Sequence, residues 1–106
     1  MAVISLVLGS QTYSQPELLR IFKTATGTGI KADASLILAD QLMAAKVNIA
    51  NGSDPAPVST TITHADSLLT GFSGKLPYKV KPSSEIGQMM VNDGTTLGNY
   101  NNGLRR

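Results

Sequence analysis

Residues 32–50 read ADASLILADQLMAAKVNIA, with neither glycine nor proline in the run. Leu38, Leu42, Ala45 and Ile49 fall at i, i+4, i+7 and i+11, one apolar stripe of helical period. Ala34, Ile37, Ala44 and Val47 put apolar side chains on other faces, and strong polarity is confined to Asp33, Asp40, Gln41, Lys46 and Asn48. A helix that is apolar on most sides needs neighbours on most sides. The pattern therefore predicts a central helix over 32–50. Asn51-Gly52 closes it, because both residues enter the left-handed C-cap at little cost.

The flanking segments read as elements arranged around that helix. Upstream, Ser14 offers an N-cap with Pro16 and Glu17 in the first turn, and Leu18, Ile21 and Phe22 share a face. A helix over about 15–25 is expected, ended by Thr26-Gly27-Thr28-Gly29. Before it, VISLVL (3–8) is apolar and β-branched, Gly9-Ser10 signals a turn, and Gln11-Thr12-Tyr13 pairs back, so residues 3–13 form a short hairpin. Downstream, Asp54-Pro55-Ala56-Pro57 starts a third helix over about 56–70, with Val58, Ile62, Ala65 and Leu69 on its apolar face. Thr60, Thr61 and Thr63 lower its propensity, so burial must hold it. Residues 71–82 form a loop pinned by Phe72, Leu76 and Tyr78. Ser83 or Ser84 caps a fourth helix over about 84–101, with Ile86, Met90 or Met89, Leu97 and Tyr100 facing inward. Gly87, Gly94 and Gly98 weaken it, and a break near Gly94 is the alternative. Residues 101–106 are expected to fray. The fold class is mainly α, a short N-terminal β-hairpin and a bundle of about four helices in one small domain, 1–106.

Composition narrows the functional classes. The chain has 106 residues, 42% of them hydrophobic and 15% charged, against roughly 25% charged in an ordinary soluble domain. Ser, Thr, Asn and Gly make up 36 of the 106 residues, so the surface is polar but weakly charged. The net charge of +2 rests on Arg105 and Arg106. This is not the charge footprint of a dedicated nucleic-acid binder. There is no cysteine for zinc or disulfides, and no apolar run of membrane-spanning length. The apolar N-terminal stretch is too short, and lacks the basic flank, to be a signal peptide. Either the protein is cytosolic, or its targeting segment is expected to lie outside this chain. Asn51-Gly52-Ser53 matches a glycosylation sequon but reads as a cap and turn.

Catalytic constellations are sparse. His64 is the single histidine, with Asp66 and Ser67 beside it in sequence, yet helical spacing sends the three in different directions. Glu17, Asp33, Asp54 and Glu85 stand near helix starts, where negative charge is favourable in itself, and Asp40 and Asp66 lie mid-helix on different elements. The Asx-rich stretches 48–54 and 92–103 lack the ligand spacing of an EF-hand loop. Gly27-Thr28-Gly29 follows a helix rather than a strand and has no phosphate-binding lysine. Neither a metal nor a cofactor is expected. Lys75, Lys79 and Lys81 with Tyr78 form the one basic cluster, a solvated loop or a weak contact for polyanions.

The succession LVLGSQTYSQPELLRIF, DASLILADQLMAAKVNIANGSDP, HADSLL, KLPY and NYNNG resembles a domain of secreted or cell-surface bacterial proteins. That domain commonly follows a Gly-Tyr-Trp-Lys-Asn-His-Pro segment. The similarity runs over about residues 3–103. The most telling parts are the Leu-Gly-x-x-x-Tyr hairpin and Leu36 to Pro55. The Gly-Tyr-Trp-Lys-Asn-His-Pro segment is absent from these residues, as are the cysteines that often bracket it, so the resemblance carries no role of that segment over to them. The resemblance implies an extracellular or cell-surface location and a fourth helix continuous through Gly94. It brings no catalytic residue.

Three functional expectations follow. The first is a non-enzymatic extracellular structural or interaction domain. It forms homo-oligomers, in the extreme a fibre, through Val3, Ile4, Leu6, Val7 and Leu8, because an isolated two-stranded hairpin leaves edge N–H and C=O groups unpaired. The second is a small-ligand or hydrolytic domain with a pocket between helices, using Asp40, His64 and Tyr100. The third is a weak polyanion or cell-wall binder through Lys75, Tyr78, Lys79, Lys81 and the terminal arginines.

Overall fold

The structure, a computed structural model, describes residues 5–27 and 32–103. The chain runs β1 (Ser5–Leu8), β2 (Gln11–Ser14), α1 (Gln15–Lys23), α2 (Ala34–Ala50), α3 (Ser59–Thr70) and α4 (Glu85–Gly103). It is the expected short antiparallel hairpin followed by four helices. Positions 3 and 4 of the expected strand, and the terminal arginines, lie outside the described residues.

Helix α2 is the centre. Leu36, Leu38, Ala39, Leu42, Met43 and Ala45 are buried around its circumference. They join Leu8 and Tyr13 of the hairpin, Leu18 and Ile21 of α1, Ala65 and Leu69 of α3, and Met90 and Leu97 of α4 in one core. Fully burying a side chain of this kind is worth about 1.5–3 kcal/mol, which is what holds the threonine-rich α3 in helical form. Asn51 closes α2 as expected, its N–H bonding back to the last turn, and Gly52 follows at φ 105.

Several boundaries differ from the sequence reading, each for a local reason. Helix α1 ends at Lys23, not 25, because the N–H and Oγ1 of Thr24 both donate to the Arg20 carbonyl and turn the chain out. Its contact with the core is a narrow one through Leu18 and Ile21. Phe22, expected inside, is 62% exposed, next to Leu19 at 52%. Helix α2 starts at Ala34 because Asp33 is its N-cap rather than a residue of its first turn. Helix α3 starts at Ser59, not 56. Asp54 accepts from Ala56 N–H and the Pro55 carbonyl accepts from Val58 N–H, so residues 54–58 make a turn of their own.

Helix α4 is unbroken through Gly94 and reaches Gly103. Its amino end is fixed by Ser84, whose Oγ accepts from Gly87 N–H. Met90, not Met89, is the core residue. The expected fraying of 101–103 does not occur. Asn101 is only 4% exposed; its amide donates to the Gln41 carbonyl and to Gln41 Oε1, and its Oδ1 accepts from Asn48. A buried amide with its partners in place is stabilising, whereas an unpaired one costs about 1–3 kcal/mol.

Candidate functional site

The geometry of the hairpin follows from its turn. Gly9 has φ 66 and Ser10 does not share a positive φ, the two-residue connection with glycine first that suits the twist of paired strands. Only glycine fits for a second reason: a Cβ there would lie 2.9 Å from Leu69 Cβ of α3. Pairing runs Leu8 with Gln11, Val7 with Thr12, Leu6 with Tyr13 and Ser5 with Ser14. Leu8 and Tyr13 point into the core and Leu6 packs against it, while Val7 is 48% exposed on the opposite face.

The Leu8–Gln11 and Leu6–Tyr13 pairs exchange the ladder bonds, so the N–H and C=O of Ser5 and Val7 face the outer edge of β1. That edge is partly occupied. Lys46 Nζ, from α2, donates to the Val7 carbonyl. The same ammonium lies 2.8 and 2.9 Å from the two carboxylate oxygens of Asp66 on α3. Asp66 Oδ1 also accepts from Gly9 N–H at 2.9 Å. On the outer edge of β2 the Ser14 N–H is taken by Glu17 Oε1 in the capping box, and Thr12 is exposed.

Of the proposed polyanion contacts, two are committed within the fold. Lys75 pairs with Glu17 at 2.7 Å and sits 5.2 Å above the Tyr13 ring. The Lys75 ammonium and the Ser14 backbone bond hold the Glu17 carboxyl down at about 2. Tyr78 stacks on Phe72 with ring centroids 4.8 Å apart, and its hydroxyl donates to the Gly74 carbonyl. Burial first, then the neighbouring Tyr13, pushes the Tyr78 phenol up to about 12. Lys79 and Lys81 are exposed and make no ion pair among the described residues. Beside Lys75 a shallow cleft of about 140 Å³ is lined by Tyr13, Glu17, Arg20, Ile21 and Leu76. It lies between the hairpin, α1 and the 71–82 loop, not between the helices where a pocket was expected.

The three residues of the hydrolytic reading make no hydrogen bond to one another. His64 Nδ1 donates to Asp93 Oδ2 on α4 at 2.6 Å and is not joined to Asp66 or Ser67. Tyr100 donates its hydroxyl to the Asp54 carbonyl. Asp40 stands alone: its Oδ1 is buried with no partner among the described residues, and burial pushes its carboxyl up to about 6. Among the described residues no three His, Asp or Glu side chains gather as metal ligands, and no helix is long and apolar enough to cross a membrane.

Besides the Asn101 amide, two polar centres escape sequence reading. Asp33 is one. Its Oδ1 accepts from Ser35 N–H, Ser35 Oγ and Val80 N–H, and its Oδ2 accepts from Lys79 N–H. Lys79 takes a left-handed φ of 56, which aims two successive N–H groups at one carboxylate. Asp33-x-Ser35 before an apolar run is a visible cap signal, but its second set of donors lies some 45 residues on. Lys46–Asp66 is the other, since its members stand on separate helices with nothing in either pattern to join them.

Comparison with known proteins returned no matching family model, no similar curated protein and no similar solved structure.

Proposed function

We propose that this chain is a non-enzymatic structural or interaction domain that acts outside the cell and assembles with copies of itself through its N-terminal strand. The supporting observation is the register of the hairpin. Ser5 pairs with Ser14, the last residue of β2, and α1 begins at Gln15. A strand continued upstream in that register has Gln15 and Pro16 opposite it, both helical, the second without an N–H. Among the described residues the ladder thus has no continuation beyond Ser5. Antiparallel pairing with the same segment of a second copy supplies one through a two-fold axis. The exposed side chains of Val7, Leu19 and Phe22 add apolar surface on the same N-terminal part of the chain. Low surface charge opposes such association little. The extracellular setting rests on the weakly charged composition and on the resemblance to secreted and cell-surface domains.

Sedimentation equilibrium from micromolar to millimolar concentration tests the assembly. Concentration-dependent oligomers, lost in a Val3→Lys, Ile4→Lys variant that still folds, are the expected outcome; a monomer throughout that range sinks the reading. Localisation of the full-length product by cell fractionation tests the compartment.

A further inference from the structure

Among the described residues the outer edge of β1 has no partner at Ser5 and is closed at Val7, and the closing group is charged. We propose that Lys46, held in place by Asp66, is a guard that limits how far a second copy's strand can pair along β1. This rests on the self-association reading, and it adds where the pairing stops and what stops it.

An incoming strand needs the Val7 carbonyl as an acceptor. That oxygen already receives the Lys46 ammonium, which is bonded in turn to both oxygens of Asp66. The side chains are only 18% and 28% exposed, so solvent and salt screen the pair incompletely. Displacing Lys46 from the Val7 carbonyl gives up a hydrogen bond to a charged group, worth about 1.5–3 kcal/mol, for a neutral strand bond worth about 0.5–1.5 kcal/mol. The guard is also fixed in position. Asp66 bonds Gly9 N–H, and the absence of a side chain at Gly9 lets the turn rest on Leu69, so α2, α3 and the hairpin meet at this point. Lysine at a sheet edge is an established way of discouraging further strand addition. Here it leaves Ser5 and the positions before it as the permitted contact and excludes Val7, giving a short, reversible interface rather than a continuous strand.

Lys46→Met removes the donor and keeps an aliphatic stem. Sedimentation equilibrium compares wild type, Lys46→Met and Lys46→Arg, with thermal unfolding recorded for each. One further pair of strand bonds is expected to lower the dissociation constant of Lys46→Met by about tenfold. Exchange of the Val7 amide is slowed in the assembled variant but not in wild type, and Lys46→Arg stays near wild type. Should Lys46→Met fail to fold, the double variant Lys46→Met, Asp66→Asn, which leaves no lone charge, is read the same way. If wild type associates and the folded variant associates no more tightly, the guard is overturned and self-association stands. A monomeric wild type beside an associating variant supports the guard and overturns self-association of the native chain. Two monomers overturn both.

Discussion

Helices α2 and α4 meet along a closed seam, whereas the hairpin and α1 leave theirs open. Along the seam Met90 and Leu97 are fully buried and Asn101 has its amide satisfied by Gln41 and Asn48, while at the start of α2 Asp33 gathers four donors from Ser35 and the 71–82 loop. On the other side Val7, Leu19 and Phe22 stand in solvent at 48%, 52% and 62% exposure. Both parts contain apolar residues at regular spacing. What separates them is whether another element of the same chain lies over the pattern. A short helix such as α1 offers one narrow face, and Leu19 and Phe22 fall outside it.

The sharpest way to break the closed part is Gly87→Ala. A Cβ there would lie 1.9 Å from the Lys81 carbonyl oxygen, backbone that cannot step aside without moving the start of α4. A loss of about 3 kcal/mol or more is expected in chemical denaturation. Asp33→Ala comes next, with a loss of about 2–3 kcal/mol, since it removes the cap of α2 and leaves the Lys79 and Val80 N–H groups without their acceptor. Amide exchange should accelerate at residues 78–80 well before it does in α4.

Asp40 is the flaw in the otherwise finished side, and it reverses the sign. Its folded carboxyl is raised to about 6 from 3.8, so between these values the folded state holds the proton more tightly than the unfolded chain. Its unfavourable contribution is fully present above pH 6 and fades as pH falls towards 3.8. Asp40→Asn is expected to stabilise the fold at pH 7 by about 1 kcal/mol, discounted for the half of the group that solvent screens. The difference between variant and wild type should shrink across pH 6 to 4; a difference independent of pH would assign the gain to something other than the charge. The smallest effect belongs to the open side. Leu19→Ser with Phe22→Ser is expected to change stability by less than about 0.5 kcal/mol per site, and a larger loss would mean that these side chains pack within the chain after all.

The elements were legible because they repeat. The stripe Leu38, Leu42, Ala45, Ile49 placed α2, Ser14 with Glu17 placed the start of α1, and Gly9-Ser10 placed the turn. Leu18 and Phe22 share a period, but which way a nine-residue helix rolls is decided by its neighbours. Asp33, Asp66 and Asn101 looked like ordinary polar residues because their roles are set by partners 46, 57 and 60 residues distant, at Lys79, Gly9 and Gln41. Period reports burial; it carries no information on which polar atoms will be left facing each other once the helices close.

The hairpin's attachments bear on the order in which the molecule comes together. Its turn is tied to Asp66, its edge to Lys46, and the Tyr13 hydroxyl accepts from the N–H of Leu76, 63 residues later. A two-stranded ribbon is marginal by itself, and closing such long loops is slow relative to helix formation. The hairpin is thus made well before the contacts that lock it in place. Until residue 76 has been made, the inner face of β1 and β2, with Leu8 and Tyr13, waits uncovered, open to a chaperone or a neighbouring copy.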